Sequence, residues 1–321
     1  MNEDANPTDV RQLRLTSFRQ VVGQERAKEA LRIAVDSTFH EESNGRLDDL
    51  LLIGPPGVGK SALITVLQHE LAIPDEKCTE ILAQSITNMA ELNSVLLSAS
   101  DGILFLDEIH KLNSAQQHAL LLVMDRRKIF LNSGKQVTSL DVAPFTLIGA
   151  TTNPEGCIAP LVDRFRLVLH LEYFDQDSLC KIVRQRCDAM NWEYEADLEM
   201  EISRRSKKTP RLAIRLLMAA RRSMAAAGDS QLLVRHLKEA CFMENICSEG
   251  LDKVQQELLL NLIDGPKQLN VLASILGYSS SAISKTIEPY LVQNSFIVKD
   301  KGMRMLTQKG IDHSRTLLSI V

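Results

Sequence analysis

The chain has 321 residues, is 45% hydrophobic and 24% charged, and carries a formal net charge of −4. That balance suits a soluble globular protein of two or three domains and excludes a disordered or collagen-like chain. It contains no run of 18 apolar residues, so no membrane span is expected, and the polar opening MNEDANPTDVRQLRL does not read as a secretory signal.

The charge is unevenly spread. Residues 1–175 hold 16 basic and 24 acidic side chains, 176–250 hold 13 and 11, and 251–321 hold 8 and 6. The second half is mildly basic, a weak pointer towards nucleic acid. The six cysteines form no C-x-x-C pair and have no histidine at zinc-finger spacing. Reduced thiols, a cytoplasmic setting and no structural metal are expected.

In chain order, QERAKEALRIAVDSTFH at 24–40 places Ala27, Ala30, Leu31, Ala34 and Val35 on one face and predicts a helix. LDDLLLIG at 47–54 is a short apolar run stopped by glycine, a buried strand. SALITVLQHELA at 61–72 returns to helical spacing. GILFLDE at 102–108 and FTLIGATT at 145–152 are two further strands that end in polar residues. Strands alternating with helices predict an α/β domain with a parallel sheet. From about 176 the strand signal stops, and 176–247 reads as helices broken at Thr209-Pro210 and at AAAGD, 225–229. Helices follow near 252–263, 268–276 and 280–294, then FIVKD and MRMLT flank Lys301-Gly302. Three helices and a Gly-tipped strand pair predict a winged helix. The expected domains are 1–175, 176–250 and 251–321.

The strongest motif is Gly54-Pro55-Pro56-Gly57-Val58-Gly59-Lys60-Ser61, a full G-x-x-x-x-G-K-[ST] between a predicted strand and a predicted helix. Its glycines let backbone N–H groups turn onto phosphates, and the helix N-terminus adds positive potential. Lys60 neutralises the β and γ phosphates of ATP, and the Ser61 hydroxyl ligates Mg²⁺. Asp107 and Glu108 close the second strand. Asp107 suits a Mg²⁺ ligand held through water, and Glu108 suits the carboxylate that activates the attacking water. Thr152, with Thr151 as the alternative, ends the third strand and is a candidate donor to the γ-phosphate or to that water. Arg164 in Asp163-Arg164-Phe165 and Arg211 in Thr209-Pro210-Arg211 are candidate phosphoryl donors, since a guanidinium reaches two oxygens at once.

The succession VVGQERAKEAL, GPPGVGKS, LFLDEIHKLN, PFTLIGATTN, LVDRFRLVLHLEYF and TPRLAIRLL resembles AAA+ ATPases. More closely it resembles the bacterial RuvB family of Holliday-junction branch-migration motors, over roughly residues 14–310. The resemblance implies an AAA+ ATPase domain, a helical lid and a C-terminal winged helix. It places the adenine at Val21 and Val22, with Tyr173 also at the nucleotide. It makes Arg164 an arginine finger serving a neighbouring subunit and Arg211 the lid arginine at the γ-phosphate. A finger acting in trans implies a homo-oligomeric ring, a hexamer. Residues 128–142 fall where the family docks a RuvA-like partner, with Ile129, Phe130 and Leu131 as its apolar contact. The implied activity is ATP-driven translocation of duplex DNA and four-way junctions in recombination and repair, with Lys299, Lys301 and Arg304 of the wing as DNA contacts.

The chain departs from the family pattern at four places. Val162 stands two positions before Arg164 where arginine is usual, and the 128–142 segment is short. The wing reads Lys301-Gly302-Met303-Arg304 in place of an arginine-glycine-arginine run, and Lys208 replaces a glycine. A second reading therefore keeps the ATPase but gives it a protein to remodel or load. A third, a nucleotide switch or DNA-binding module that scarcely hydrolyses ATP, has no use for the water-activating Glu108.

Overall fold

A computed structural model describes residues 15–40, 45–99, 101–133 and 136–318. The chain divides into two compact units, residues 1–178 with 209–211, and residues 179–208 with 212–321.

In the first unit, α1 (Glu25–Thr38) leads to β1 (Leu50–Ile53), α2 (Lys60–Glu70), β2 (Cys78–Leu82), α3 (Met89–Ser98) and β3 (Ile103–Asp107). α4 (Ser114–Arg126), the hairpin β4 (Lys128–Ser133) and β5 (Gln136–Asp141), β6 (Thr146–Thr151), α5 (Ala159–Arg164) and β7 (Leu167–His170) complete it. Ala27, Leu31 and Val35 of α1 are buried, as their helical spacing predicts. The main sheet is wholly parallel, in the order β2-β3-β6-β1-β7. Its three central strands are the three apolar runs read from the sequence, and helices cover both faces, so their side chains are buried almost without alternation. The strands missed by the sequence reading, CTEIL and LVLH, lie at the two edges, where half-exposed positions dilute the apolar signal.

This strand order positions the site. β6 lies between β1, which carries the glycine-rich loop, and β3, which carries Asp107. The carboxyl ends of these three strands therefore open side by side, the usual ligand edge of such a sheet.

β4 and β5 form a separate antiparallel pair with Ile129 opposite Leu140 and Phe130 opposite Ser139; residues 134–135 of the 128–142 segment lie outside the described residues. The expectation that Ile129, Phe130 and Leu131 share one exposed contact needs correction. Ile129 is 3% exposed and packs into the core with Val123, Met124 and Val142, whereas Phe130, Leu131 and Leu140 are exposed.

The second unit opens with α6 (Gln176–Ala189), α7 (Leu198–Arg205), α8 (Pro210–Ala227) and α9 (Val234–Met243). It continues through α10 (Lys253–Asn261), β8 (Lys267–Gln268), α11 (Leu269–Leu276), α12 (Ser280–Ala282) and a π-helical turn at Ile283–Ile287. α13 (Glu288–Gln293), β9 (Ile297–Asp300), β10 (Met303–Leu306) and α14 (Gln308–Leu318) close the chain. The segment from α10 to β10 is a winged helix with its own core around Leu258, Leu272, Leu291 and Phe296. Its wing turns on Lys301 and Gly302, both with positive φ, the two-residue geometry that matches strand twist. Lys207 ties the helices to the winged helix: its Nζ donates to Asp252 Oδ2 at 2.9 Å and Gln255 Oε1 at 2.6 Å.

Lys208, where the resemblance leads to the expectation of glycine, has φ +59° and an exposed side chain. A left-handed residue with a Cβ costs about 1–2 kcal/mol, partly offset by the greater unfolded-state freedom of glycine. Lys208→Gly is therefore expected to raise stability by up to about 1 kcal/mol, read as a higher urea midpoint at unchanged slope.

Candidate nucleotide and hydrolysis site

The glycine-rich loop leaves β1 at Gly54, whose N–H donates to Thr151 O at 3.1 Å and so joins the loop to the end of β6. Gly57 and Gly59 have φ of +81° and +98°, a conformation side chains with a Cβ rarely adopt, and a Cβ on Gly57 would come within 3.0 Å of Arg211 Cβ. α2 then starts at Lys60 with its free N–H groups directed at the loop. Val58 is buried beneath it, and Ser61 is exposed on the first helical turn.

Lys60 is buried, and its ammonium donates to Gly54 O at 2.8 Å and Pro55 O at 3.1 Å. Burial pulls its pKa down, with nearby Arg211 acting the same way and Glu108 and Asp107 opposing. The loop carbonyls hold a cation inside the cradle, the charge a triphosphate demands.

At the end of β3, Asp107 Oδ1 accepts the N–H of Glu108 at 2.9 Å. Glu108 itself has φ +53°, which turns its side chain out of the strand path and across to β6. There its Oε2 accepts the Thr152 hydroxyl at 2.8 Å and the Thr152 N–H at 3.2 Å. Thr151 is fully buried, and its Oγ1 lies 2.9 Å from His110 Nδ1. Of the two threonine candidates, Thr152 is the one hydrogen-bonded to Glu108, and Thr151 is the one at His110.

Val21 and Val22 are half-buried beside a concavity lined by Gly23, Gln24, His170, Tyr173 and Phe174. The two segments are joined by Gln24, whose amide donates to Glu172 O at 2.7 Å and accepts the Glu172 N–H at 3.1 Å. The sequence reading did not single out Gln24, although it sits inside VVGQ. Tyr173 is 41% exposed, and burial of the rest of the ring raises its phenol pKa. Arg211 donates its backbone N–H to Gly57 O at 3.3 Å and has an exposed side chain.

Arg164 is not brought to this edge. Its Nε pairs with Asp125 and its Nη2 reaches Met124 O at 3.5 Å. Asp49, which immediately precedes β1, feels its charge, and Asp49 O accepts the N–H of Leu167 at the start of β7. Arg164 therefore lies at the amino ends of β1 and β7, opposite its own glycine-rich loop.

On the wing, the assignment of Arg304 to DNA is corrected. Arg304 is 8% exposed, and it grips the fully buried Glu288 through Nε at 2.7 Å and Nη2 at 3.2 Å. Lys299 Nζ also meets Glu288 at 2.7 Å, which leaves Lys301 exposed at the wing tip. Burial pushes the Glu288 carboxyl up, but hydrogen bonds from Arg304 and Lys299 outweigh it and hold the pKa below the usual value. A depressed folded pKa gives stability that is present above the unfolded value near 4.3 and is lost as pH falls through the folded one. Glu288→Gln leaves a buried guanidinium without its counter-charge, so a loss of about 3 kcal/mol is expected at neutral pH. Thermal denaturation at pH 7 and again at acid pH checks this, because the difference should shrink as the wild-type carboxyl protonates.

The chain is similar to RuvB proteins along nearly its whole length. Residues 13–171 match the family described as the Holliday junction DNA helicase RuvB P-loop domain, 174–246 the RuvB AAA lid domain, and 248–315 the RuvB C-terminal winged helix domain. It is 34% identical to the Holliday junction branch migration complex subunit RuvB of Kosmotoga olearia over 94% of this chain and 90% of that protein. Identity to the RuvB subunit of Thermosipho melanesiensis is 33%, over 92% and 96%. The solved structure of the Thermotoga maritima RuvB Holliday junction branch migration motor superposes with a TM-score of 0.80 at 30% identity, covering 94% of this chain and 98% of that one.

Proposed function

The chain belongs to the RuvB family, and we propose that it hydrolyses ATP to drive branch migration of Holliday junctions, working as a ring of identical subunits on duplex DNA. The observation that carries this reading is the convergence of Lys60, Asp107, Glu108 and Thr152 on one sheet edge, with the Glu108 carboxylate aimed across β6. A nucleotide binder without turnover has no need of that carboxylate.

In this reading Lys60 releases the carbonyls of Gly54 and Pro55 and takes up the β and γ phosphates. The N–H groups of residues 57–61 wrap the phosphates, and Arg211 closes on the γ-phosphate from the far side of Gly57. Glu108 orients the attacking water and draws off its proton, while Thr152 keeps that carboxylate turned to the phosphate. The adenine rests on Val21 and Val22 with Tyr173 beside it.

The Ser61 hydroxyl and the Asp107 carboxylate are the residues that would hold Mg²⁺, which would supply positive charge to the phosphates. Among the described residues no group of three or more His, Cys, Asp or Glu could hold a metal. A two-ligand site completed by substrate phosphates and water is the arrangement that suits this ion.

The position of Arg164 supports the ring. β1 has four residues and rises about 13 Å, more than an arginine side chain spans, so Arg164 cannot serve the loop at the other end of its own strand. A neighbouring subunit's nucleotide can meet it. The functional division we adopt is ATPase 1–175, lid 176–250 and winged helix 251–321. Exposed Phe130 and Leu131 are the residues of 128–142 offered to a RuvA-like partner, and Lys301 is the wing cation offered to DNA phosphates. Among the described residues no helix is long and apolar enough to cross a membrane, in keeping with cytoplasmic work on DNA.

The decisive experiment is ATP-dependent migration of a synthetic four-way junction, with and without a RuvA protein. Hydrolysis without migration under both conditions would favour a motor that acts on a protein partner.

A further inference from the structure

Glu108 is held by more than Thr152. His110, two residues on, sits with Nδ1 3.1 Å from Glu108 Oε2 and 2.9 Å from Thr151 Oγ1. The ring is packed under the turn at 154–156, where even a Cβ on Gly156 would come within 3.0 Å of His110 Cβ. The carboxylate fixes the tautomer. A lone pair on Nδ1 would face the charged Oε2 at 3.1 Å, so Nδ1 carries the hydrogen and directs it to the threonine oxygen, with Oε2 beside it. Thr151 Oγ1 also accepts the Asn153 N–H at 3.0 Å.

The donors to Glu108 fall on one oxygen. Oε2 receives the Thr152 hydroxyl and the Thr152 N–H, and His110 Nδ1 lies 3.1 Å from the same oxygen. A carboxylate pinned through one oxygen keeps the lone pairs of the other for a substrate. We propose that His110 is a positioning residue for ATP hydrolysis: anchored to Thr151 through Nδ1, it holds Glu108 Oε2 against its Nδ1 edge so that Oε1 is presented to the attacking water. The inference rests on the reading of Glu108 as the group that activates that water.

The charge state suits the task. Burial lowers the His110 pKa from its ordinary value, Lys111 and Lys60 act the same way, and Glu108 and Asp107 oppose them. A neutral imidazole orients the carboxylate without a full positive charge that would weaken it as a base. The clamp also joins the end of β3 to both threonines at the end of β6.

The test compares His110→Ala, His110→Asn and His110→Gln in the full chain, with Glu108→Gln as reference, by steady-state ATPase with duplex DNA and by fluorescent-nucleotide titration. Asparagine places an amide N–H near the position of Nδ1, whereas glutamine carries it out to the position of Nε2. Loss of orientation at the reacting water is expected to lower kcat roughly 10- to 100-fold in the Ala variant, with KM and nucleotide affinity held within about twofold. Asn should restore most of the rate and Gln little of it. Wild-type kcat in His110→Ala, or equal loss in the Asn and Gln variants, overturns the proposal. Should Ala unfold, which a thermal melt reveals, the Asn and Gln comparison decides alone. If Glu108→Gln itself turns over normally, the reading of Glu108 has failed. If Glu108→Gln is inactive while His110→Ala is not, only the clamp has.

Discussion

Glu108→Gln is expected to bind ATP as tightly as the wild type and to hydrolyse it about 10²–10⁴ times more slowly, the usual contribution of a positioned general base. The amide keeps the shape of the carboxylate, and its oxygen can still accept the Thr152 hydroxyl and N–H that now fall on Oε2. What it loses is the capacity to take a proton and the negative charge that polarises water. Lys60→Ala divides the effect the other way. That ammonium already sits inside the loop, 2.8 Å from Gly54 O, and its removal takes away the charge facing the phosphates. Binding should fail before chemistry in Lys60→Ala, and chemistry before binding in Glu108→Gln. Fluorescent-nucleotide titration and single-turnover phosphate release separate the two steps. Wild-type turnover in Glu108→Gln would remove Glu108 from the water-activating role.

The fold was legible where one residue's environment is set by its near neighbours. β1, β3 and β6 announce themselves because a strand buried on both faces is apolar without a break. The winged helix shows as three helical runs and a two-residue turn at Lys301-Gly302. Edge strands carry half that signal, so β2 and β7 stayed hidden. The phosphate loop is readable for a related reason: its chemistry is local, in backbone conformations that only glycine adopts easily. Long-range pairing is what a sequence conceals. Arg304 looks like a free wing cation until the fold brings the buried Glu288 against it from α13. Ile129 looks like its neighbours Phe130 and Leu131 until the base of the hairpin packs it against Val123, Met124 and Val142. His110 sits in plain view in DEIH, yet its meaning depends on Thr151, which only sheet order brings within reach. The order β3-β6-β1 is the single fact that converts three separate motifs into one site.

Arg164→Ala is expected to bind ATP almost normally and to lose most hydrolysis. A finger of this kind contributes about 10³–10⁵ in rate, or roughly 4–7 kcal/mol of transition-state stabilisation. Arg164 also pairs with Asp125 and leans on Met124 O, a contact that braces α5 against α4. Loss of activity alone therefore cannot separate a finger from a brace. Mixing Arg164→Ala with Glu108→Gln does. Where the Arg164→Ala subunit holds the nucleotide, its own Glu108 is intact and the neighbour supplies a sound Arg164. Every group needed for hydrolysis is then present at that interface, although neither protein is active alone. A brace acts within its own chain, so no mixed interface would gain anything from the neighbour. Recovery should be greatest at intermediate ratios and should disappear when Arg164→Ala is mixed with a Glu108→Gln, Arg164→Ala double variant. If turnover requires coordination around the whole ring, recovery is smaller but still peaks between the extremes. Mixtures that co-assemble by native mass spectrometry yet show no ATPase at any ratio would mean that Arg164 acts only in its own subunit.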